Sequence, residues 1–184
     1  KQCITEHRDK QQSVVVIALP GIGLYSEDRA ALNIVEEVFV GMDGRLFSRI
    51  REELGLAYYT GATEFTGIAG GMLVFYAGTR PDAADKVMDE ILGELEKFVE
   101  GGISEDELER AKRVFAGKYS IARQSHGARA QGAALNLLYG LPIDNDERLL
   151  KEMTGLNCRE VDAVAKKFLR SSSMVQVRVL PGSQ

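Results

Sequence analysis

Two side chains in the stretch RLFSRIREELGLAYYTGATEF, residues 45–65, are of types that can act on a ligand together. Arg51 carries a planar guanidinium whose fixed donors suit a backbone carbonyl or a carboxylate. Tyr58, seven residues further on, carries a hydroxyl able to donate to a developing oxyanion. Both types are equally at home in packing. A surface arginine commonly pairs with an acid, and a strand tyrosine commonly packs its ring. Residue type and spacing alone leave both readings open.

The other chemistry-bearing residues form no working set. His7 and His126 have no His or Glu at metal-ligand spacing, and a catalytic zinc takes about three protein ligands, so no metal site is expected in this chain. Ser125 and His126 are adjacent, which is poor geometry for a nucleophile and its base, and no G-x-S-x-G elbow accompanies them. The glycines of GIAGG, 67–71, lack a following helix and a G-K-[ST] sequence, so they read as a turn rather than a phosphate cradle. SEDELER, 104–110, reads as the acidic first turn of a helix. Cys3 and Cys158 have no C-x-x-C spacing and are expected to be free thiols.

The elements that position Arg51 and Tyr58 follow from periodicity. SVVVIAL, 13–19, is a β-branched run suited to a strand buried on both sides. Ser26 is placed to cap a helix with apolar positions Ala30, Ala31, Ile34, Val35, Val38 and Phe39. After the turn GMDG, the residues Leu46, Phe47, Ile50 and Leu54 form the stripe of a shorter helix that stops at Gly55, a residue free to take positive φ. Strand-like runs at 58–66 and 70–78 make a hairpin. Pro81 opens the next helix, to about 99. Ser104 and Glu107 form a capping box at the start of a long helical stretch interrupted near SHG, 125–127. A last helix, 157–169, leads to a closing strand, 174–180. The expected fold is α+β: a mainly antiparallel four-stranded sheet with helices on one face, an expanded split β-α-β pattern. A polar segment, 1–12, precedes a single domain, 13–182.

Composition bounds the rest. The 45% hydrophobic and 27% charged content over 184 residues is that of one soluble globular domain. A net charge of −4, with basic residues interspersed among acids, gives no nucleic-acid footprint. The apolar runs are too short to span a bilayer, and the polar N-terminus has no signal-peptide pattern. A soluble protein is expected, with cytoplasm and periplasm equally open.

GRLFSRIREELGLAYYTGA resembles the signature of the C-terminal half of pitrilysin/insulinase-type zinc metallopeptidases, the family that includes mitochondrial processing peptidase. GGISEDELERAKRVFAGKYS is similar to the same family. SVVVIALPG and VDAVAKKFLRSSSMVQVRVLPG fall where that family has its first and last strands, so the likeness runs over about 11–182. GMDGRLF departs from the Gly-rich, Ser-containing turn of many relatives. The resemblance implies that zinc sits on an inverted H-x-x-E-H helix in a homologous N-terminal half, a motif this chain lacks. It implies that this half closes over the site, with Arg51 binding substrate backbone and Tyr58 hydrogen-bonding the scissile carbonyl or its tetrahedral intermediate. The partners implied are the H-x-x-E-H half, in the same longer chain or a separate subunit, and a peptide substrate, held partly by strand addition to a sheet edge. The chain alone is expected to be inactive, and its uncovered surface to favour self-association. The alternative is a non-catalytic core subunit of the same superfamily.

Overall fold

The computed structural model describes residues 2–170 and 172–182; Lys1 and Ser171, inside the expected segment and domain, lie outside the described residues. The strands are β1 (Gln2–Arg8), β2 (Ser13–Pro20), β3 (Ala57–Thr66), β4 (Gly71–Thr79) and β5 (Val175–Pro181). The helices are α1 (Arg29–Phe39), α2 (Ala84–Gly101), α3 (Glu105–Ala122), α4 (His126–Leu138), α5 (Asn145–Gly155) and α6 (Cys158–Leu169).

The sheet order is β1-β5-β2-β4-β3. It is a five-stranded mixed sheet, which corrects the expected four strands. β2–β4, β2–β5 and β3–β4 are antiparallel, while β1 lies parallel to β5. The added strand comes from the polar 1–12 segment. QCITEHR is exposed at all positions but Ile4, because an outer strand lying beyond the helices has no face to bury and so shows no apolar alternation.

Along β2, Val15, Ile17 and Leu19 are fully buried while Val14, Val16 and Ala18 are only half-buried. SVVVIAL therefore buries one face rather than two. The buried face meets α1, α2 and α6 in one core. Phe39 packs edge-on to Phe75 with ring centroids 5.1 Å apart, and the Phe98 ring lies tilted against Phe39 at 5.3 Å. The opposite sheet face carries Val16, Val177, Tyr76 and Met72, and none of the described helices covers it.

Helix ends follow their sequence signals. Ser104 and Glu107 close the expected capping box on α3, and Asn157 and Glu160 close another on α6. Ser125 caps α4 by accepting the Ala128 N–H at 3.1 Å, which accounts for the break at SHG. Ser26 does not cap α1; its Oγ accepts from the Asp28 N–H at 3.2 Å, and the helix starts three residues later at Arg29. α5 occupies a stretch that periodicity leaves unassigned.

Candidate functional site

Arg51 and Tyr58 stand on two irregular pieces of backbone joined by a short link. Phe47–Glu53 winds as a π-helix, with the Leu54 N–H reaching back five residues to the Arg49 carbonyl at 3.3 Å. The Leu56 N–H then returns to the Ile50 carbonyl at 2.9 Å, and Thr79 Oγ1 donates to the Leu56 carbonyl at 2.5 Å. Between them Gly55 takes φ +60°, a left-handed conformation that costs a side-chain-bearing residue about 1 kcal/mol or more. The widened winding and these two bonds fix the angle at which the helix delivers the chain into β3.

Tyr58 is the extra residue of a β-bulge. Ala57 pairs with Thr79 and Tyr59 with Gly78, so Tyr58 opposes no residue of β4. Ala57 is buried on the helical side, while the Tyr59 ring reaches the open sheet face, 6.3 Å from the Tyr76 ring. The bulge leaves Tyr58 51% exposed, and among the described residues its hydroxyl has no hydrogen-bond partner.

The arginines of this segment differ in how they are held. Arg45 is locked by both Glu107 carboxylate oxygens, at 2.6 and 2.9 Å, and by the Gly102 carbonyl at 2.9 Å. Arg49 bridges Glu53 and Glu90 at 2.8 and 2.9 Å. Arg51 is exposed, and among the described residues it pairs with no acid; its guanidinium carbon lies 5.0 Å from the centroid of the Phe47 ring. Two accessible polar groups thus sit on irregular, hydrogen-bonded backbone with their donors uncommitted among the described residues. The π-winding and the bulge carry no single-residue signal in the sequence. Phe47, read there as part of the apolar stripe, stands beside the site.

The other sequence candidates have structural places. His7 Nδ1 lies 3.1 Å from the Pro181 carbonyl oxygen, and His126 is the exposed first residue of α4. Cys3 and Cys158 are free thiols. Among the described residues no group of three His, Cys, Asp or Glu side chains is placed to hold a metal ion. The inverted-motif spacing does occur on α1, but as Asn33-x-x-Glu36-Glu37, with Asn and Glu where histidines are required. A lysine ammonium, Lys118 Nζ, sits 2.5 Å from Glu37 Oε1. Next to it, burial pushes the Glu36 carboxyl up to about 7, reinforced by Glu64 and Glu37 and partly opposed by Lys118 and the Glu64 N–H. Burial also raises Glu64, against the Thr66 hydroxyl and Arg29. The pair joins α1 to β3, where Asn33 Nδ2 donates to Glu64 Oε2 at 3.2 Å.

Comparison with known proteins matches residues 1–115 to the peptidase M16 inactive domain. A zinc protease of Streptomyces coelicolor, itself uncharacterized, is 29% identical over 168 residues, covering 88% of this chain and 36% of the relative. A Helicobacter pylori relative, 23% identical over 87% of this chain and 38% of its own length, bears the name non-peptidase homolog YmxG. A solved peptidase M16 inactive domain from Pseudomonas fluorescens superposes with a TM-score of 0.87 at 24% identity, over 99% of this chain and 44% of that one. An inactive peptidase domain from Bordetella parapertussis superposes with a TM-score of 0.85 at 17% identity, over 97% of this chain and 95% of that one. The chain thus spans less than half the length of the relatives named, while the Bordetella structure is a unit of nearly its own extent. With the family model covering well over half of its residues, the chain belongs to the peptidase M16 inactive-domain family.

Proposed function

We propose that this chain is the substrate-holding half of a zinc-dependent metalloendopeptidase and works only beside a homologous half bearing H-x-x-E-H. The observation that carries the reading is the uncommitted Arg51–Tyr58 pair on a π-helix and a β-bulge, both backbone features concentrated at functional sites. Arg51 donates to a backbone carbonyl of an extended peptide. Tyr58 donates its hydroxyl to the scissile carbonyl oxygen and more strongly to the oxyanion that follows. The described residues do not fit a zinc ion; the metal and its water belong to the companion half.

The companion's docking surface is the open sheet face. Val16, Val177, Met72, Tyr76, Phe65 and Tyr59 lie there, where none of the described helices covers them, and Phe65, Met72 and Tyr59 are more than two-fifths exposed. An apolar face of this kind marks an interaction surface. Separated from the companion, the same face supports self-association.

A second reading, a non-catalytic structural subunit, is favoured by the name of the Helicobacter pylori relative. Mixing this chain with its H-x-x-E-H half and assaying a peptide substrate separates the two. Hydrolysis by the mixture, with this chain inert alone, supports the peptidase reading. A stable complex without hydrolysis supports the structural one.

A further inference from the structure

The apolar stripe Leu46, Phe47, Ile50 and Leu54 does not go into the core as a unit. Leu46 and Ile50 are fully buried, but Phe47 is only half-buried and lies outside the hydrophobic core cluster. Its ring faces Arg51, with the guanidinium carbon 5.0 Å from the ring centroid. Arg45 and Arg49, on the same segment, are held by carboxylates, Arg45 with its guanidinium carbon also 4.6 Å from the Phe98 ring centroid; of the three, only Arg51 has a ring and no acid among the described residues.

The difference is chemical. A carboxylate would hold Arg51 firmly, but it would occupy the donor fork and neutralise the charge that a ligand must meet. A ring face attracts the guanidinium through its quadrupole and leaves the N–H donors, which lie in the guanidinium plane, directed outward. A long side chain that must bind a carbonyl also loses rotamer freedom on binding, and prior orientation lowers that cost.

We propose that Phe47 is the positioning residue of Arg51, its ring orienting the guanidinium for a peptide carbonyl or carboxylate while leaving every donor free. The proposal rests on the reading of Arg51 as a substrate contact. Because Phe47 lies outside the core cluster, the role is separable from folding.

Two measurements test it. In this chain alone, NMR relaxation of the Arg51 Nε–H should show an ordered side chain that becomes mobile in Phe47→Leu, with Arg45 and Arg49 unchanged. In the enzyme assembled with its H-x-x-E-H half, Phe47→Leu should raise KM about two- to fivefold, the worth of an exposed cation–π contact, with kcat unchanged. Phe47→Tyr should restore KM, and Phe47→Leu should have no further effect in an Arg51→Ala background. An unchanged Arg51 order parameter, or equal effects of Phe47→Leu with and without Arg51, overturns the proposal alone. Wild-type turnover by Arg51→Ala overturns the reading of Arg51 and the proposal with it.

Discussion

Replacing Glu36 by Gln should stabilise this protein at high pH and do nothing at low pH. The carboxyl lies between α1 and β3, where burial, Glu64 and Glu37 raise it from its usual 4.5 to about 7. A folded-state value above the unfolded one means that the native state holds the proton more tightly. The native state is therefore favoured fully below about pH 4.5, and this contribution is lost as the pH rises through about 7. Moving a carboxyl that far corresponds to a ceiling of about 3 kcal/mol. Glu36 is partly exposed and faces Lys118, so screening reduces this to about 1–2 kcal/mol. Gln keeps the shape and carries no charge. Glu36→Gln should thus exceed wild type by about 1–2 kcal/mol at pH 8, or roughly 2–8 °C in Tm for a domain of this size. Denaturant and thermal unfolding of both proteins at pH 5 and pH 8 measure the difference. An equal effect at both pH values, or a less stable variant at pH 8, would refute the assignment of the penalty to a buried, charged Glu36.

Glu107 should behave in the opposite sense: burial would raise it, but Arg45 and the Ser104 groups overcome that and hold it at about 2. Its contribution is present above about pH 4.5 and fades as pH falls through about 2, and Glu107→Ala, which unpairs Arg45 and opens the α3 capping box, should cost about 2 kcal/mol in urea unfolding at pH 7. Gly55→Ala should cost about 1–2 kcal/mol in the same assay, because φ is +60° there while open space surrounds the added methyl group. Sedimentation of the isolated chain should show association through the open sheet face, weakened by Met72→Lys; a monomer at every concentration up to millimolar would contradict it.

What the sequence disclosed depended on how local the cause was. The β3–β4 hairpin, the break at Ser125 and the α3 capping box rest on residues within a few positions of one another, and all stand where expected. β1 was hidden because its partner, β5, lies at the far end of the chain and both faces of QCITEHR are largely exposed. β2 looked buried on both sides because valines line both of its faces, although the outer face has no cover among the described helices. Arg51 and Tyr58 were legible as a pair by type and spacing. The π-winding and the bulge that present them were not, because each arises from how the Phe47–Glu53 turn and β3 must meet the same core. Phe47 was misplaced for a related reason: the stripe assumes 3.6 residues per turn, and the wider π-turn moves its ring out of register with Leu46 and Ile50.

The role of the pair is tested most directly by Tyr58→Phe in the enzyme assembled with its H-x-x-E-H half. The substitution removes one hydroxyl from a side chain that is 51% exposed, so Tm should be unchanged within the effect of an ordinary surface substitution, about 0.5 kcal/mol. If that hydroxyl stabilises the oxyanion, kcat should fall about a hundredfold or more with KM little altered, as for loss of a single oxyanion donor. Wild-type turnover, or a large fall in Tm with activity lost only in proportion to unfolding, would contradict it and make Tyr58 a packing residue.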